Sequence, residues 1–401
     1  MSHLTTRRHD LDWLRVIAFL ILIFYHTGMF YVTWDWHVKS VHAGPDAEWL
    51  MRLSSPWRLS LLFFISGLAL RFAADKRPSG EMMKSRLFRL GLPILFGMVL
   101  VVAPQSWLQL VESGEFQGSF VDFWPYYIDP LSEFSITTPT WNHLWYVVYL
   151  LVYSLMILPF SGPLSRFASG GFAWLTTRLF AGRMGVFWAV VIPTAPHLLY
   201  RVVLDPYFPT THDLTWDWAN HAHSLTMLLT GFLLAKDEAF WGAVRRGWAL
   251  VVGLTIALGV ALTLAWNNWD LFGEPGAPLE AWLWPARFGR VLFAWMVIFS
   301  LLGLAQRYLN RDSKALRYLN DAVFPWYILH QTLIVMAGFW LTRQGLSAGV
   351  EFSLVVLATV MGCVLGHELI RRVPFLRPVF GLKLNTLRPE RLAAGQAARS
   401  V

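Results

Sequence analysis

Ten apolar stretches, most about as long as a bilayer is thick, follow one another along this chain. They are 11–33, 57–73, 90–108, 141–160, 184–200, 221–235, 248–266, 286–306, 321–341 and 349–370, the second and sixth being short. A membrane-spanning helix needs about 20 mostly apolar residues. In hydrocarbon each backbone N–H and C=O must find its partner within the protein, which a helix provides along its own length. The sequence therefore predicts an all-α fold, a polytopic membrane helix bundle of about ten transmembrane helices. Composition agrees, because 56% of residues are hydrophobic and only 14% are charged, less charge than a soluble enzyme carries. The 22 tryptophans suit helix ends that meet two membrane–water interfaces.

Basic residues set the orientation. The N-terminal segment, 73–89, 161–183, 236–247, 307–320 and the chain from 371 hold 24 Lys and Arg, whereas the alternate connections hold four. This alternation predicts an even number of spans with both termini cytoplasmic. It also assigns the net charge of +8 to the cytoplasmic face and not to nucleic acid. Residues 1–385 read as one integral-membrane domain and 386–401 as a polar cytoplasmic tail. The single cysteine, Cys363, lies in an apolar run and forms no internal disulfide.

Ionisable groups inside a bilayer are costly and usually functional. The first span carries three, Asp12, Arg15 and His26. Arg15 and His26 are eleven residues apart, which returns a helix to within roughly 20° of the same face and separates the two by about 16 Å. Asp12 is three residues before Arg15 and can pair with it. The stripe thus runs from an ion pair near the cytoplasm to a histidine in the outer half of the membrane.

Other polar groups sit at matching depths. Arg86 and Arg89 stand at the cytoplasmic entry of the third span; ordinary inner-face charge and a phosphate-binding pair are both open readings. His143 opens the fourth span at the outer face beside Trp145, and His330 lies near mid-membrane in the ninth. Arg58, Arg287 and Arg290 are basic residues at the outer mouth, where snorkelling or binding of an anionic group would each account for them. His37 is among eight outer histidines, but no histidine pair has i,i+4 spacing around a carboxylate, so no metal is expected. No nucleotide-binding glycine loop or hydrolase elbow is present. Any chemistry would take place inside the bundle, and a transporter or flippase remains the alternative from another class.

The motifs in order identify the chain as similar to a known family. They are the Arg15-to-His26 spacing with Asp12, "WHVKS" at 36–40, "FFISG" at 63–67, "RLFRLGLP" at 86–93, "NHLWYV" at 142–147, "FPWYILHQ" at 324–331 and "HELIRRVPFLRPVFG" at 367–381. Together they resemble the integral-membrane acyltransferase-3 family, nearest its OpgC-like glucan succinyl-transfer branch. The resemblance implies an acyl-CoA donor reached from the cytoplasm and a hydroxyl acceptor on an extracytoplasmic glycan. It further implies His26 as the catalytic histidine and Arg15, Arg86 and Arg89 as donor-site residues.

With that expectation the polar groups sort by depth. Catalytic candidates are His26, Asp12 and His143; donor-site candidates are Arg15, Arg86, Arg89 and His330. Substrate-binding candidates are Arg58, His37, Trp145, Arg287 and Arg290, with an arginine free to meet the carboxylate if the acyl group is succinyl and not acetyl. The expected partners are acyl-CoA, a glycan and membrane lipid, in the inner membrane of a bacterium.

Overall fold

The computed structural model describes residues 7–384; the expected tail at 386–401 lies outside them. Every predicted apolar stretch is helical, and no strand occurs among the described residues. Among the described residues, nine helical stretches are long and apolar enough to cross a membrane. They are α1 (His9–Tyr31), α2 (Pro45–Ala74, broken by a turn at 55–57), α3 (Ser79–Ser113), α4 (Asn142–Phe180), α5 (Gly185–Val203), α7 (Glu238–Asn267), α8 (Glu280–Tyr308), α9 (Lys314–Gln344) and α10 (Ala348–Arg372). The tenth apolar helix, α6 (Trp218–Leu234), has 17 residues and occupies the place where a short sixth span is expected. The chain is a multi-pass membrane protein.

Two small residues join α2 to α6. A side-chain carbon on Gly67 would collide with the backbone oxygen of Leu228, and one on Gly231 with the backbone oxygen of Phe64. Hydrogen at both positions lets the two backbones touch, the usual reason for small residues where membrane helices cross. Ser66, next to Gly67, instead shares a 2.9 Å hydrogen bond with the hydroxyl of Tyr146, which ties α2 to α4.

Helix α9 is the most enclosed, with 72% of its most apolar window buried by protein, against 22% in α7 and α10. It packs against α1, α3 and α10. A helix surrounded by protein can carry polar side chains at membrane depth where they find partners and avoid lipid. Helix α3 is irregular at two points, with π-helical turns at Leu87–Gly91 and Gly97–Val101. Such turns re-aim the side chains that follow and are frequent at functional sites. The first of them carries Arg89.

Candidate active site

Three histidines from three helices meet in the centre of the bundle. Helix α1 supplies His26, α9 supplies His330, and the first turn of α4 supplies His143. His26 Nδ1 and His330 Nε2 are 2.8 Å apart. The ring centroids are 5.0 Å apart and the planes differ by 9°. Most of the centroid separation is therefore taken up by the N···N contact itself, so the rings meet edge to edge and nearly coplanar. His143 stands across the pair, 5.2 Å from His330 and 6.4 Å from His26 by centroid, with its ring almost perpendicular to both. His330 is fully buried and His143 nearly so, whereas His26 is partly exposed. The Nε2 of His26 makes no hydrogen bond among the described residues and is not sealed from its surroundings.

The local fold holds the two buried rings. A long side chain on a helix leans back towards the preceding turn, and His330 Nδ1 accordingly lies 2.7 Å from the carbonyl oxygen of Tyr327 and 3.2 Å from that of Trp326. His143 Nε2 donates to the carbonyl of Ile328 at 3.1 Å, and the Tyr327 hydroxyl donates to the backbone carbonyl of His143.

A chain of amides extends from this centre to the loop after α1. Gln105 Nε2 donates to Thr332 Oγ1 at 2.7 Å and lies 3.5 Å from His143 Nδ1. Its Oε1 accepts from Asn142 at 3.1 Å and from Gln331 at 2.9 Å. Gln331 also reaches His37 Nε2 at 2.9 Å, and His37 Nδ1 donates to Gln109 Oε1 at 2.6 Å. Burial pulls the His37 imidazole below its ordinary pKa, and the bond to Gln109 works in the other direction. Sequence reasoning missed these glutamines. The available signal was Gln105 and Gln109 one helical turn apart, and Gln331 directly after His330.

At the other end of the stripe, Arg15 lies 3.7 Å from Asp12 and donates to Asn320 Oδ1 at 2.7 Å. Asp12 is also held by Arg7 at 2.8 Å. It stands fourteen residues from His26 on the same helix, about 21 Å along its axis, so its contacts are with Arg15 and not with the histidines. Arg89 is near enough to Arg15 and to Arg86 for their charges to act on one another, and the Tyr146 hydroxyl is within the same reach of Arg15 and Arg86. Neither Arg86 nor Arg89 has an acidic partner among the described residues. A small apolar cavity of about 10 Å³ lies between α1 and α9, and none of these arginines lines it. Val16, Leu20 and Ile23 line one wall, Leu319, Val323 and Trp326 the other, and His330 also lines it.

Beyond His26, at the start of the helical segment after the turn in α2, Arg58 is 94% buried, its relative exposure being 6%. Its guanidinium lies over the ring of Tyr25, 3.1 Å from the centroid. Its Nε and Nη1 are buried without a hydrogen-bond partner, and its charge is felt at His26. Arg290 approaches Tyr25 from α8, with Arg201, Arg52 and Asp205 within electrostatic reach. Arg287 turns elsewhere and covers the ring of Trp284 at 5.0 Å. Trp145 stacks on His212 at 4.2 Å. The candidates thus fall into three groups: the histidine centre with His37 behind it, the arginines around Arg15, and Arg58 with Arg290 beside Tyr25. Arg287 joins none of them. No group of three or more His, Cys, Asp or Glu is arranged to hold a metal among the described residues.

Residues 8–368 match the family described as an acyltransferase domain. Relatives of matching length include the glucans biosynthesis protein C of Salmonella paratyphi A, 24% identical over 97% of this chain and 98% of its own length. The proteins of the same name from Salmonella typhimurium and Salmonella schwarzengrund are 24% and 25% identical over the same shares. No solved structure matches the chain.

Proposed function

Because this chain belongs to the acyltransferase-3 family and is a membrane O-acyltransferase, we propose that it carries an acyl group from cytoplasmic acyl-CoA to a hydroxyl of a glucan outside the membrane, with His26 as general base. The glucan is inferred from the name of the Salmonella relatives. The inner membrane of a bacterium is the matching location, with both termini in the cytoplasm as the basic residues predict. The observation that carries the reading is the free Nε2 of His26 at the end of a stripe whose other end is a cluster of arginines.

The depths fit one donor. Arg15, Arg86 and Arg89 are suited to the phosphates of coenzyme A, since guanidinium forks match phosphate oxygens; Asp12 orients Arg15. From that mouth to His26 is about 16 Å, comparable to the reach of an extended pantetheine arm. The thioester then sits beside the histidines, and the acyl group crosses most of the membrane while still attached to its carrier.

The acceptor hydroxyl gives its proton to His26 Nε2 as its oxygen attacks the thioester carbonyl. The carbonyl π electrons move to oxygen and return as the C–S bond breaks. The departing thiolate takes the proton back from His26, leaving an ester and free coenzyme A. His143 and the amides around Gln105 line the centre in which the oxyanion forms. His37 and Trp145 lie on the outer approach for the sugar. Arg58 favours succinyl over acetyl, because an unpaired buried guanidinium next to His26 is completed by the far carboxylate of a dicarboxylic acyl group.

The test is His26→Ala in the native host, with mass spectrometry of the periplasmic and surface glucans. Loss of the acyl group with the protein still inserted in the membrane is expected. Wild-type acylation by a well-expressed variant refutes the base assignment.

A further inference from the structure

We infer that His330 is a positioning residue that fixes the tautomer of His26, holding the proton on Nδ1 and leaving Nε2 bare towards the acceptor. The inference rests on the reading of His26 as the base, and it moves His330 away from the donor site where its depth alone had suggested a role.

The argument starts from the backbone. Two carbonyl oxygens, those of Tyr327 and Trp326, face His330 Nδ1 at 2.7 and 3.2 Å. A carbonyl oxygen only accepts, so Nδ1 must carry the hydrogen; a bare nitrogen there would set its lone pair against two others. In a neutral imidazole the second nitrogen is then bare, so His330 Nε2 is an acceptor. It faces His26 Nδ1 at 2.8 Å, and that contact is a hydrogen bond only if His26 Nδ1 is the donor. The near-coplanar, edge-to-edge placement of the rings puts this hydrogen along the line between the nitrogens. His26 Nε2 is left bare, and it is the nitrogen that lacks a partner and stays accessible. Two backbone carbonyls of α9 therefore determine, through two rings, which nitrogen of α1 is basic.

The arrangement does what a buried carboxylate does behind a histidine base: it selects the tautomer, fixes the ring plane and accepts from the imidazolium that forms during proton transfer. Here the acceptor is neutral, which suits a centre enclosed by protein at membrane depth, where an extra unpaired anion would be costly. Full burial of His330 keeps it from touching the acceptor, so its effect passes through His26.

The test uses the full chain in lipid nanodiscs. The wild-type protein, labelled with 15N-histidine, reports the tautomers directly. The His26 resonances are assigned by their loss in His26→Gln, and those of His330 by their loss in His330→Gln. Nδ1–H at both residues is expected; Nε2–H at either one overturns the inference without any reference to activity. Kinetics with succinyl-CoA and a short glucan oligosaccharide give the second arm. His330→Ala should lower kcat roughly 100-fold, within the range for a disabled general base, with the donor KM changed less than about 3-fold. His330→Gln, whose amide oxygen can accept from His26 Nδ1 while its NH2 meets the Tyr327 carbonyl, should recover about 10-fold of that loss. A fall confined to donor KM would make His330 a donor-site residue, and unchanged kcat in His330→Ala would leave it no positioning role. If His26→Ala in the same assay keeps its activity, the base assignment itself has failed, whatever His330 does.

Discussion

Replacing Arg58 with methionine separates ligand recognition from folding at one residue. The side chain is 94% buried, its exposure being 6%, and lies on the Tyr25 ring with two N–H-bearing nitrogens unpartnered. Its burial therefore costs stability in the unliganded protein, because a desolvated charge without a counter-charge is not compensated. Methionine has a similar reach, and its sulfur packs favourably on an aromatic ring. The unliganded variant should be at least as stable as the parent. Transfer should change in the opposite sense. A hydrogen bond to a charged group contributes about 1.5–3 kcal/mol, so losing one to the succinyl carboxylate reduces kcat/KM for succinyl-CoA by a factor of roughly 10–150. Acetyl-CoA has no such carboxylate, and its kcat/KM should change less than about 3-fold. The assay is competition between the two donors on purified protein in nanodiscs, read by mass spectrometry of the glucan, with thermal unfolding measured in parallel. A retained succinyl preference refutes the carboxylate role. Marked destabilisation of the unliganded variant refutes the claim that Arg58 lacks a partner inside the protein.

Two further outcomes follow. Arg86→Ala and Arg89→Ala should each raise the donor KM about 5- to 50-fold with a smaller effect on kcat, since each removes charge-assisted contact with phosphate; donor binding measured with coenzyme A alone checks this independently of the acceptor. Gly67→Leu should cost at least about 2 kcal/mol or prevent folding, because its first side-chain carbon already collides with the Leu228 backbone oxygen. Thermal unfolding in detergent reads that loss, and unchanged stability would mean that α2 and α6 do not approach as closely as described.

Much of this was legible before any coordinates. The period and length of the apolar runs named ten helical stretches, including the short one that became Trp218–Leu234. The eleven-residue interval between Arg15 and His26 put an inner cation and an outer imidazole on one face. Each of these is a local or periodic property, and a periodic property can be read from spacing.

What spacing cannot carry is which residues far apart in the chain touch. Nothing in the run containing His330 said that its ring would meet that of His26, 304 residues away, nor that His143 would stand across both. Glutamines at 105, 109 and 331 looked like isolated polar interruptions until two helices and the loop carrying His37 brought them into one hydrogen-bonded chain. Arg58, Arg287 and Arg290 were equivalent as basic residues at the outer mouth; packing alone buried the first on Tyr25 without a partner and turned Arg287 onto Trp284. The sequence by itself determined that the chain would cross a membrane many times and how its ionisable groups would be spaced along each helix, because hydrocarbon imposes helices and helices fix rise and rotation per residue. Only the tertiary structure decided which nitrogen faces which oxygen, because that depends on helices meeting side by side.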